Sequence, residues 1–143
     1  MAVTASIEIE FESQNVLSPK EILESLIKND WSLNVYGEKH YIPLGEKEIF
    51  AWKSDKHIKD YDVLSLVEAK TLSKEIVALG IGWKNTNIGG ELIFDTENSL
   101  ILMLTYNRQV TEYGLTNFDW YLSKLVPIFS KYYISSLKCE QIF

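Results

Sequence analysis

Three carboxylates at every second position are the first residues here that could act on another molecule. Glu8, Glu10 and Glu12 alternate with Ile7, Ile9 and Phe11. A period of two sets the acids along one side of an extended strand, about 7 Å apart, with the apolar residues on the other. Like charges so placed repel modestly, so the row costs some stability. It reads either as a landing strip for a basic partner or as a solvated face balanced by lysines on a neighbouring strand. Asp95 and Glu97 form a second acidic group in the turn-like segment Asp95-Thr-Glu-Asn-Ser99. Trp120, on the polar side of a helical stripe with Lys124 and Lys131, is the residue type that anchors interfaces. Half-burial under a neighbouring loop is the commoner fate of such a Trp.

Residue types suited to catalysis or metal binding are few. The histidines are His40 and His57, and neither has a ligand at zinc-site spacing; His-Glu-x-x-His and paired Cys motifs are absent. His40, His57 and Cys139 would have to converge in space, with a fourth ligand unidentified. Cys139 lies in phase with apolar residues, where a free thiol is an inert core group. Gly80-Ile-Gly82-Trp lacks the third glycine of a phosphate-binding turn and sits within a strand. No serine nucleophile elbow occurs. The expectation is a protein that is not an enzyme, with no metal and no cofactor.

Charge narrows the partners. The 143-residue chain carries a formal net charge of −6, and Arg108 is its one arginine. Nucleic-acid binders show Arg-rich basic patches, because phosphate recognition favours that planar fork of donors. Direct nucleic-acid binding is therefore not expected, whereas an acidic protein meets basic partners faster. Hydrophobic residues are 46% and charged residues 24% of the chain, a globular balance that excludes a disordered one. One unpaired cysteine suits a reducing compartment. No signal-type segment leads the sequence, and no apolar run approaches a bilayer span. A soluble cytoplasmic protein, independent of membranes, is expected.

The elements that must position these residues follow in order. After the alternating first strand, Ser18-Pro-Lys-Glu21 opens a helix with an N-cap, a proline at the first turn and a capping-box acid; it should run to about Lys28. Extended segments are predicted at 31–35, at 41–44 (an edge or bulge, given Pro43) and at 49–52. A helix runs from Asp62 to near Lys74, with Asp60 or Asp62 as N-cap and Val63, Leu66, Val67 and Lys70 in phase. Strands then fall at 76–83, 91–94 and 100–106. Leu100-Ile-Leu-Met-Leu104 is apolar throughout, the signature of a central strand covered on both sides. Ala78, Gly80 and Gly82 form a small-residue face that a helix should cover. Thr116-x-x-Asp119 opens a third helix, kinked or ended by Pro127, and residues 133–143 form a last strand. The sequence thus predicts one α+β domain over 1–143, a mostly antiparallel sheet of about six to eight strands with three helices against it.

A small, acidic, aromatic-rich α+β chain without a catalytic signature resembles the immunity proteins of bacterial polymorphic and contact-dependent toxin systems. The resemblance is one of type and size across the whole chain and rests on no shared motif. It implies an antitoxin role: binding a cognate protein toxin, a nuclease, and blocking its cationic active site with carboxylates in place of nucleic acid. The residues expected to serve are Glu8, Glu10, Glu12, Asp95, Glu97 and Trp120. The alternative is a small-molecule-binding domain or modest enzyme, with a pocket over the Gly80/Gly82 face lined by Trp83 and Tyr106.

Overall fold

Ile7, Ile9 and Phe11 are each at most 1% exposed, while on the same strand Glu8 is partly exposed and Glu10 exposed. That contrast is what an alternating strand with one covered face must show. The computed structural model describes residues 3–12 and 16–143; the opening Met1-Ala2 of the alternating stretch lies outside them.

The chain runs β1 (Thr4–Phe11), α1 (Pro19–Lys28), β2 (Trp31–Ser32), β3 (Lys39–Tyr41), β4 (Lys53–Asp55), α2 (Asp60–Leu72), β5 (Val77–Trp83), β6 (Gly89–Thr96), β7 (Ser99–Tyr106), α3 (Phe118–Phe129), a short 3-10 turn (Ser130–Tyr132) and β8 (Ile134–Ile142). Among the described residues, the eight strands form one sheet in the order β4-β3-β5-β6-β7-β1-β8, with β2 also on the edge of β5. Each of these pairings is antiparallel. The class is α+β, as the order of sequence signals implies.

Register explains the core. Leu79 faces Leu92, Leu92 faces Leu102, and Leu102 faces Ile7, so one row of buried aliphatics crosses four strands. Helix α1 adds Ile22, Leu23 and Leu26 to this layer, α2 adds Val63 and Val67, and α3 adds Tyr121, Leu125 and Phe129. The Phe129 ring meets Phe11 edge-on at 6.0 Å. Helices α1, α2 and α3 therefore pack on one side of the sheet.

Several expectations are corrected here. The apolar run of β7 is covered on one face only: Leu100, Leu102 and Leu104 are buried, but Ile101 and Met103 are partly exposed on the side without helices. The small-residue face of β5 meets no helix among the described residues. A Cβ at Gly80 would touch His40 and Tyr106 at 3.4 and 3.7 Å, and one at Gly82 would touch the Asn34 carbonyl and Val35 at 3.2 and 3.4 Å. Strand β4 forms at 53–55 instead of 49–52, since Lys53-Ser-Asp has no strand propensity of its own and is recruited by pairing with β3. Helix α2 starts earlier, at Asp60 with Lys59 as N-cap; the Asp62 carboxylate accepts the Lys59 N–H (3.1 Å). Helix α3 is capped by Asn117, whose Oδ1 accepts the Trp120 N–H at 3.2 Å. Thr116 is engaged by Arg108 and Gln141 instead. Pro127 does not end the helix, which continues to Phe129 before tightening into the 3-10 turn. Ser18 caps α1 as expected, accepting the Glu21 N–H at 3.3 Å.

Candidate functional site: the uncovered face of the sheet

The sheet's second face carries what the helices leave free. Ala78, Ile93, Ile101, Glu8 and Lys138 form one cross-strand row, and Gly80, Glu91, Met103, Ser6 and Glu140 the next. Glu10 lies between Ser99 and Ser136 one step further along. Asp95 and Thr96 together oppose Ser99 across a bulge, and Ser99 pairs with Glu10, so Asp95 stands at this end of the same face. Neighbouring strands lie about 4.8 Å apart, so Glu8, Glu10, Glu91, Asp95 and Glu140 surround a small apolar centre of Ile93, Ile101 and Met103. Lys138, opposite Glu8 and 3.3 Å from Glu140, is the partial counter-charge.

At the Gly80 end this face becomes aromatic and polar. A register shift between Gly89 and Glu91 turns Tyr106 onto it, with its ring 5.9 Å from His40 and 6.4 Å from Tyr36. The shift needs glycine: a Cβ on Gly90 would collide with the Met103 carbonyl oxygen. Burial raises the Glu91 carboxyl above its ordinary value, opposed by a hydrogen bond with Thr105 and by the nearby His40. Burial also raises the Tyr106 phenol. His40 Nδ1 and Ser54 Oγ lie 2.7 Å apart as a cross-strand pair, and Nε2 has the Glu38 carboxylate at 4.0 Å. The space over both glycines is filled. Two shallow grooves of about 290 and 260 Å³ lie elsewhere, beside α1, Lys131 and Tyr132.

The structure gathers most of the residues expected from sequence. Glu8, Glu10 and Asp95 share the uncovered face. Glu12 and Glu97 stand exposed at the same end of the sheet, where the Phe11 N–H meets Asn98 and the Glu12 N–H donates to Tyr133. Trp120 is elsewhere. It is half-buried on the helix side, its ring 4.9 Å from Tyr121 and 6.3 Å from Trp83, with Lys124 Nζ 3.9 Å over it. It cannot share one surface with the carboxylates. Trp83 also lies on the helix side, edge-on to Trp31 at 5.3 Å, so Trp83 and Tyr106 do not line a common pocket.

Sequence reasoning missed Glu91, Glu140 and the apolar centre, although Glu91-x-Ile93-x-Asp95 alternates as plainly as β1. The His40–Ser54 pair had no such signal, because β4 is defined only by its partner. His40 and Cys139 belong to opposite ends of the sheet order, and among the described residues no three metal-ligating side chains cluster. Among them, too, no helix is long and apolar enough to cross a membrane. No family model, curated protein or solved structure matches this chain.

Proposed function

We propose that this chain binds and neutralises a basic protein through the uncovered face of its sheet. One observation carries the reading: Glu8, Glu10, Glu91, Asp95 and Glu140 ring the apolar Ile93, Ile101 and Met103 on the layer that α1, α2 and α3 leave uncovered. A polar, charged rim around a small hydrophobic centre is how protein interfaces are built. An acidic rim also steers a cationic partner into place. The resemblance to toxin immunity proteins supplies the partner class, a cytoplasmic nuclease toxin domain. Its phosphate-binding cleft would take these carboxylates in place of nucleic acid.

The test is affinity capture from the native host, followed by association kinetics with the captured protein at low and high salt. The expected partner is basic, and its on-rate falls steeply as salt screens the carboxylates. If the captured protein is a nuclease, adding this chain should stop its cleavage of nucleic acid. A partner whose association ignores salt would sink the proposal.

A further inference from the structure

β8 is a nine-residue strand at the end of the sheet order, hydrogen-bonded to β1. Among the described residues no strand pairs with its outer edge. The opposite edge of the sheet, β4, has only three residues. A long free edge is a template for another strand.

Which groups point outward follows from one hydrogen bond. The Phe11 N–H donates to Asn98 at 2.8 Å, toward β7. In an antiparallel ladder a residue's N–H and C=O point to the same neighbour, and successive residues alternate. Hence Ser6, Glu8 and Glu10 address β8, and their partners Glu140, Lys138 and Ser136 address β1. Leu137, Cys139 and Gln141 therefore turn their N–H and C=O groups away from β1, while the Gln141 side chain accepts from the Thr116 N–H and hydroxyl.

We propose that two copies of this chain pair through β8, antiparallel about a two-fold axis at Cys139, joining their sheets into one. Outward-pointing residues must face each other, so the axis passes through a residue and not between two. An axis at 138 would set Lys138 against its own copy, and an axis at 140 would do the same to Glu140. Like charges directly opposite are destabilising. An axis at 139 sets each Lys138 against Glu140 of the second copy, twice, while Cys139 faces Cys139. It also lays Phe143 diagonal to Leu137 of the second copy, covering side chains that are 70% and 39% exposed. Of these three registers, only the one centred on Cys139 makes the edge complementary to itself in charge. This inference stands apart from the proposed partner, whose face the pairing would double in width and leave uncovered.

The experiment is sedimentation equilibrium of the full chain, with Lys138→Glu, Glu140→Lys and the double exchange. Each single reversal should weaken the dimer by about tenfold, since two attractions become two repulsions. The double exchange should restore it, because opposite charges again face each other. A short bismaleimide should link two wild-type chains through Cys139 and leave Cys139→Ser unlinked. Circular dichroism confirms that each variant is folded. A wild-type chain that stays monomeric at millimolar concentration would overturn the proposal. So would single reversals that dimerise like wild type.

Discussion

Lys70 is a charged side chain that is only 1% exposed, and its surroundings explain how that is tolerated. Its ammonium has three donors. They meet the Pro43 and Glu46 carbonyls at 2.8 Å each and Glu75 Oε1 at 3.0 Å. Glu75 also accepts the Gly45 N–H at 2.8 Å, so this cage ties the loop after β3 to the end of α2. Breaking a buried pair leaves its partners desolvated and unmatched, so Lys70→Met should destabilise the fold by about 3 kcal/mol, read as a lower urea midpoint at unchanged slope. The Lys70 hydrogen bond, then that from Gly45, holds the Glu75 carboxyl below its ordinary value of 4.5. A carboxyl lowered by folding contributes stability above its unfolded value, and that contribution is lost as pH falls through the folded value. The stability gap between wild type and Glu75→Gln should therefore be full at neutral pH and close as pH drops below 4.5. Urea titrations at several pH values would show it; a pH-independent gap would contradict the cage. The helical phase alone marked Lys70 as inward-facing. Its partners come from residues 43–46 and 75, which no local period connects to it.

At the scale of elements, what was legible followed from period and punctuation. The alternation of β1, the Ser18 cap and the turn at Asp95–Ser99 each recur in the structure, and the order of helices and strands is as the sequence implies. What was not legible depended on partners. Ile101 and Met103 read as buried because every neighbour in sequence is apolar, yet burial of a strand face is decided by where helices land. Here α1, α2 and α3 land on the same side. The bulge in β7, where Leu104 and Thr105 oppose the single residue Gly90, is the element-level feature with the clearest mutational consequence. Gly90→Ala places a methyl group against the Met103 carbonyl oxygen, in backbone that can yield only by breaking the β6–β7 ladder. The expected loss is about 3 kcal/mol, the upper end for overpacking. It should come with altered near-ultraviolet dichroism, since the same bulge turns Tyr106 toward His40. A Gly90→Ala chain as stable as wild type would mean that the two strands part easily there.

For the molecule as a whole, the decisive property is where charge sits, beyond its total of −6. A net charge draws any basic protein nearer, but only charge on the docking face steers it into register. Two double variants separate these effects. Glu8→Lys with Glu10→Lys changes the uncovered face, and Glu21→Lys with Glu24→Lys changes α1 on the other side of the sheet. Each replaces two negative charges by two positive ones, so both bring the net charge from −6 to −2 (−6 + 4). If long-range attraction alone mattered, the two would slow association with the basic partner equally. If the uncovered face docks, the Glu8/Glu10 pair should slow it by about tenfold or more, and the α1 pair by much less. High salt should then erase most of the difference in on-rate, because the Debye length contracts to about 3 Å at 1 M. The ranking of the two variants in stopped-flow measurements is therefore the test. A larger effect from α1 would move the interface to the helical side, where Trp120 and Lys124 lie.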